Sequence, residues 1–303
     1  MTQLQIDQFV VLSDNYVYLV HEPAAGVTGV VDPGVAAPVL ERLQRRGWTL
    51  DWILITHHHA DHTGGNLEVK RATGCKIAGP KKDAARIPGI DLGLVEGDRF
   101  RLGEAEAEIL ETPGHTSGHI SYWFADAKTL FCADTLFSLG CGRVFEGNFE
   151  QMWDSLSKLA RLPDDALVYC AHEYTQANAR FALTVDPDNP ALQARAAEAD
   201  RQRAAGQPTV PTTLGAERAA NPFLRPTTPR SASASACRTR ATPRSSPRSA
   251  SARTGSDSAR RPAWPTPPKT ARPETAHRHL RQPGSHTGPM KSAALGVRFA
   301  LPR

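Results

Sequence analysis

Short apolar runs separated by polar turns set the rhythm of this chain. Runs near 9–12, 16–20 and 27–31 predict a strand meander that stops at the turn Asp32-Pro33-Gly34. Residues 36–46 carry apolar positions at helical spacing and end at Gly47, and Leu67 to Ala72 predicts a helix closed by Gly74. Between them Trp52-Ile53-Leu54-Ile55 is an apolar run of strand length bounded by polar residues. Further strands are predicted near 75–79, 107–111, 119–124, 128–132 and 166–170, with helices at 150–161 and from about 175 onward. Past His172 the pattern turns helical only, and Ala191 to Ala205 continues it. Strands mixed with helices predict a layered α/β body.

Ligand-type side chains follow the strand ends. Directly after the run at 52–55 comes Thr56-His57-His58-His59-Ala60-Asp61-His62. The same order of strand, turn and ligand recurs three times, at His115, at Asp134 and at His172. Imidazole and carboxylate are what borderline divalent metals such as zinc prefer. Seven candidates, His57, His59, Asp61, His62, His115, Asp134 and His172, exceed what one tetrahedral ion uses. Two ions sharing one carboxylate are the economical reading. His58 is expected on the far side of the turn from His57 and His59, and His119 opens the next strand; both read as supporting side chains. Asp32 is a candidate acceptor behind the metal loop, although Asp-Pro-Gly is equally a plain turn.

Composition bounds what else the chain can be. No stretch of 18 apolar residues predicts a membrane span. No basic region followed by an apolar block opens the sequence, and no organellar leader is legible, so a cytoplasmic protein is expected. Five scattered cysteines read as reduced thiols. Charge divides the chain. Residues 226–303 hold 15 Lys and Arg against two acids, a net +13. Subtracted from totals of 36 basic and 31 acidic residues, this leaves 21 and 29 in residues 1–225, a net −8. The last segment is rich in Pro, Ser, Ala and Arg, with too little apolar content to offset chain entropy, and is expected to be disordered.

The ligands, in this order, resemble the metallo-β-lactamase superfamily and, within it, the glyoxalase II or hydroxyacylglutathione hydrolase family. The resemblance spans roughly residues 3–225. Phe131-Cys132-Ala133-Asp134-Thr135-Leu136-Phe137, Gly140-Cys141-Gly142-Arg143, Ala171-His172-Glu173-Tyr174-Thr175 and Asn221-Pro222-Phe223-Leu224-Arg225 carry the family within the superfamily. It implies a four-layer αββα sandwich with a small C-terminal helical domain. The domains are then a metal-hydrolase domain at 1–172, a truncated helical substrate-binding domain at 173–225 and the tail at 226–303.

The resemblance also implies the reaction, hydrolysis of S-(2-hydroxyacyl)glutathione in methylglyoxal detoxification, by a monomer acting on a small molecule. His57, His59 and His115 then serve one metal and Asp61, His62 and His172 the other. Asp134 bridges, and Asp61 and Asp134 are the catalytic carboxylates. Zinc is the default, with iron or manganese also suited to such ligands. Arg143, Phe145 and Tyr174 match the family's glutathione-binding positions, with Phe145 where many relatives carry Tyr. The family's terminal basic pair has no match after Arg225, which predicts a raised KM. The change at Pro226 is as abrupt as an out-of-frame reading of GC-rich coding sequence would make it. A genuine basic tail binding nucleic acid is the competing reading. The alternative enzymes are a mononuclear-iron persulfide dioxygenase and another hydrolase of the same fold; metal count separates the first from a binuclear enzyme.

Overall fold

Alternation along the second strand sets the layering. In the computed structural model, which describes residues 3–225, Tyr16, Tyr18 and Val20 fall in one buried cluster and Val17 and Leu19 in another. Successive side chains of a strand point to opposite faces, so this strand is covered on both sides. The tail expected at 226–303 lies outside the described residues.

The first sheet has six strands in sequence order. β1 (Gln5–Val11), β2 (Asn15–Glu22) and β3 (Val27–Val31) are antiparallel. β4 (Trp52–Leu54), β5 (Lys76–Pro80) and β6 (Leu92–Leu94) continue in parallel from β3. α1 (Ala36–Arg46) and α3 (Asn66–Thr73) cover its outer face through Val39, Leu43 and Val69, which join Val30, Ile53, Ile55 and Ile77 in one cluster. Between β4 and α3 the chain makes one helical turn, α2 (Ala60–Thr63).

The second sheet runs in the order β14, β13, β10, β9, β8, β7. β7 (Arg99–Leu102), β8 (Ala105–Glu111), β9 (Ile120–Phe124) and β10 (Thr129–Ala133) are antiparallel neighbours. β13 (Leu167–Cys170) pairs in parallel with β10, and β14 (Thr212–Thr213) in antiparallel with β13. The two inner faces share one core containing Leu54 and Val31 from one sheet and Ile109, Tyr122, Phe124 and Phe131 from the other. α4 (Phe149–Leu159) joins that core through Met152, Leu156 and Leu159. Helix, sheet, sheet and helix therefore stack as the αββα sandwich. Near the middle, a two-stranded hairpin of β11 (Leu136–Phe137) and β12 (Gly140–Cys141) stands apart from both sheets.

The helical-only reading past His172 needs one correction. α5 (Thr175–Val185), α6 (Pro190–Ala204) and α7 (Leu214–Ala220) form as the spacing predicts, but Thr212 and Thr213 return to the sheet edge opposite Val168 and Leu167. Two residues are too few to show a strand period.

Direction decides where the site lies. β8, β10 and β13 point the same way, so the segments leaving them all emerge at one edge of the second sheet. The loop leaving β4 meets that edge because Tyr122 Oη donates to the Ile55 carbonyl (3.0 Å), tying β9 to the residue before Thr56. On the other side the Tyr16 N–H donates to the Ala171 carbonyl (2.7 Å). Tyr122→Phe removes that donor from the Ile55 carbonyl, along with its longer contact to the Ala78 carbonyl (3.4 Å). A loss of about 1–2 kcal/mol is expected in urea unfolding.

Candidate active site

Four chain segments deliver the predicted ligands to one place. His57 and His59 leave β4; Asp61 and His62 sit in α2; His115 follows β8; Asp134 follows β10; His172 follows β13. His57 Nε2 and His115 Nε2 each stand 3.1 Å from His59 Nδ1. His62 Nε2 lies 3.4 Å, and His172 Nε2 3.6 Å, from Asp61 Oδ2. Asp134 lies between the two sets: Oδ2 is 3.2 Å from His115 Nε2, while Oδ1 is 3.4 Å from His172 Nε2 and 3.8 Å from His62 Nε2.

Such spacing suits cations. Ligands held 2.0–2.1 Å from a tetrahedral ion stand roughly 3.3–3.4 Å apart, close to the separations here. The buried His62 Nε2 and Asp134 Oδ1 have no hydrogen-bond partner among the described residues, which a buried polar atom rarely tolerates. His57, His59 and His115 form one group able to hold an ion, and Asp61, His62 and His172 another. These donor sets make this a metal site.

Electrostatics separates the two groups. Burial pushes His57 far below the ordinary histidine value, and surrounding imidazoles add to it; burial also lowers His59 and His115. These three offer lone pairs. Burial opposes protonation at His62 and His172 too, but Asp134, helped by Asp32 at one and Asp14 at the other, outweighs it and raises both. Asp134 is lowered to about 2, against burial, by His62, His172 and His115. His62 and Asn15 hold Asp61 far below the usual carboxylate range.

Outer partners fix the ligand rings. Asp32 accepts the Thr56 N–H (2.9 Å) and hydroxyl (2.7 Å) and contacts His62 Nδ1 (3.1 Å). Asp14 Oδ1 lies 2.8 Å from His172 Nδ1, and Asn15 Nδ2 donates to Asp61 Oδ2 (2.9 Å). The Arg143 carbonyl takes His115 Nδ1 (2.8 Å). Asp14 and Asn15 escaped the sequence reading; their one signal is the polar triplet Ser13-Asp14-Asn15 between two apolar strands.

His58 and His119, the other two histidines beside the site, have partners elsewhere. His119 stacks on His57 (5.0 Å between centroids) and lies within 3.2 Å of the Thr112 and Thr135 hydroxyls. His58 contacts Asp83 (2.9 Å) and, with Glu146, surrounds the Arg86 guanidinium, whose Nη1 donates to Glu146 Oε2 (3.0 Å). In that acidic group the protein's own guanidinium is the cation.

A cavity of about 260 Å³ opens over Asp61, Asp134 and His172 and is rimmed by Phe137, Arg143, Phe145 and Tyr174. Tyr174 stacks on His172 (4.8 Å, 3° between planes), and Phe145 packs its ring 5.1 Å from His115 while remaining 61% exposed. Arg143 is exposed and makes no ion pair among the described residues. A larger cleft of about 510 Å³ lies between Ile6, Ala127 and Leu167, and none of its lining residues is a metal-ligand type.

Comparison with known proteins follows this geometry. The family model described as the metallo-beta-lactamase superfamily matches residues 12–172, and that described as the hydroxyacylglutathione hydrolase C-terminus matches residues 173–250. A hydroxyacylglutathione hydrolase of Rhodospirillum rubrum is 61% identical over 225 residues, 74% of this chain and 88% of that one. Another, of Methylococcus capsulatus, is 59% identical over 226 residues, 75% and 88% respectively. Among solved structures, ETHE1 from Myxococcus xanthus aligns with a TM-score of 0.51 at 32% identity, over 56% of this chain and 76% of that one. The BLEG-1 B3 metallo-beta-lactamase aligns at 0.56 and 22% identity over 73% of this chain and 100% of its own, a likeness of fold.

Proposed function

Because this chain belongs to the hydroxyacylglutathione hydrolases of the metallo-β-lactamase superfamily, we propose that its thioester cleavage takes place where Asp134 separates the two histidine groups. The protein is a thioester hydrolase: S-(2-hydroxyacyl)glutathione, such as S-D-lactoylglutathione, and water give glutathione and a 2-hydroxy acid. The observation that carries the site is the division of Asp134, with Oδ2 toward His115 and Oδ1 toward His62 and His172.

In this reading His57, His59 and His115 hold one divalent ion, Asp61, His62 and His172 a second, and Asp134 both. Two ions so held supply water acidified toward a pKa of about 7 and a positive field for an oxyanion. Zinc suits the mixed imidazole and carboxylate set, and iron or manganese suits it also. Asp61, with its side chain 41% exposed and Oδ2 fixed by Asn15, orients the attacking water. Arg143 and Tyr174 bind the glutathione moiety at the cavity rim, and Phe145 offers a ring without the hydroxyl. Residues 1–172 supply the metal set with Arg143 and Phe145, and the domain at 173–225 adds Tyr174 to the cavity rim; 226–303 lies outside the described residues.

Among the described residues no thiol competes as nucleophile. Burial pushes the Cys141 and Cys170 thiols up to about 12 and raises Cys132 well above the ordinary thiol value. A thiol so buried is inert at neutral pH, so direct attack by water without a covalent intermediate follows. The same reading places the enzyme in the cytoplasm as a monomer without a nucleic-acid partner. Residues 1–225 are net acidic, and no helix among those described is long and apolar enough to cross a membrane.

The test is steady-state hydrolysis of S-D-lactoylglutathione, followed by loss of the thioester, on protein whose metal content has been measured. Saturable turnover with two ions per chain is expected. One tightly bound iron with no thioester turnover would instead select the dioxygenase alternative.

A further inference from the structure

The turn of the β11–β12 hairpin is gripped from outside. Leu139, at its tip, has φ +59°, where a bulky residue is uncommon. Its side chain is fully buried and clusters with Ala179, Ala182, Leu192, Ala196 and Ala220, all from the C-terminal helices. Its N–H donates to Glu217 Oε2 (2.8 Å). Asn221 Nδ2 points at the carbonyls of Phe137 (3.1 Å) and Gly140 (2.9 Å), on either side of the tip, and at Glu217 Oε2 (3.0 Å). Asn178 Nδ2 donates to the Ser138 carbonyl (3.0 Å). Glu217 and Asn221 are both fully buried.

This hairpin is the only covalent path from Asp134 to Arg143: it starts two residues after the first and ends two residues before the second. Asp134 is also fixed by its strand, since β10 pairs on both sides. Arg143 has no such strand and hangs on the hairpin and on the His115 contact. The segment Asn221 to Arg225 is itself anchored, with Arg225 on Asp186 (3.2 Å) and the Phe223 ring against Phe181 (5.9 Å). We infer that Glu217 and Asn221 are positioning residues for substrate. They lock the hairpin tip into the helical domain and thereby set Arg143 and Phe145 at the cavity rim, while Asp134 keeps the support of β10.

The inference rests on the proposed reaction for its kinetic readout. Asn221→Ala and Glu217→Ala are expected to raise KM for S-D-lactoylglutathione about tenfold, the effect of weakening one charged hydrogen bond. kcat is expected to stay within about twofold, with metal content unchanged, because only binding common to substrate and transition state is lost. Glu217→Gln keeps an acceptor for the Leu139 N–H and is expected to restore KM. Leu139→Ala removes the buried plug but keeps every backbone donor, and serves where an alanine variant at 217 or 221 does not fold; its KM is expected to rise too. Folded variants that melt earlier at unchanged KM would overturn the inference, as would loss of metal with KM intact. Calorimetric titration with glutathione separates the two readings. A wild type that binds glutathione without hydrolysing the thioester refutes the reaction, while weaker glutathione binding by the variants still supports the clamp; equal binding refutes it.

Discussion

Asp134→Asn is expected to reduce thioester turnover by about a thousandfold, the several kcal/mol that a shared metal pair contributes to an oxyanion-forming step. Asparagine keeps the shape but removes the charge. Asp134 is where both histidine groups meet one carboxylate, and His62, His172 and His115 together hold it at about 2. A neutral amide offers one weak oxygen in place of two charged ones, so a pair of ions bound there would lose its common ligand. The check is kcat together with metal per chain after dialysis. Two retained ions and turnover within tenfold of the wild type would rule out Asp134 as the bridge.

Gly142→Ala is expected to disable the site without replacing a ligand. A Cβ on Gly142 would fall 1.8 Å from the Asp134 carbonyl oxygen and 3.5 Å from His115 Cβ. Backbone cannot yield there cheaply: the Gly142 N–H donates to the Thr135 carbonyl (3.1 Å), and Ala133 already sits at φ +38° beside a register shift of β10 against β13. Relief requires Asp134 to move by an ångström or more. Displacement of that size costs about 10²-fold in rate at a reacting centre, with overpacking adding about 1–3 kcal/mol of destabilisation. Urea unfolding and kcat, measured on the same preparation, check both parts. Unchanged turnover would show that the Asp134 turn can slide without cost. Gly34 meets the same constraint at the Asp61 carbonyl, 2.0 Å from its would-be Cβ.

Much of this fold was legible because its strands are short, apolar and bounded. The runs at 16–20, 27–31 and 107–111, and the helix at 36–46 closing on Gly47, lie where the pattern places them. What escaped was either too brief or too polar to carry a period: β6, β7, the one-turn α2, the β11–β12 hairpin and β14. β1 begins four residues before the apolar run at 9–12 because Gln5 to Gln8 alternate with a half-buried face. Ligands were visible for a different reason, since each follows a buried strand and buried strands are easily read. Their partition between two groups came only with the resemblance, because spacing along a chain says nothing of convergence in space. Asp14 and Asn15 look like any polar turn until β1 and β2 bring them against His172 and Asp61.

The ligand groups draw on both sheets: His57 and His59 leave the first, while His115, Asp134 and His172 leave the second. An ion held by either group would therefore join the two sheets. Binding to the folded form alone adds about 2.7 kcal/mol when free metal stands at a hundred times its Kd. Folded and unfolded forms would then trade places according to supply of the ion. For a cell short of metal, the consequence is a matter of abundance as well as rate: this protein would be removed by proteases sooner, and its concentration would track the metal pool.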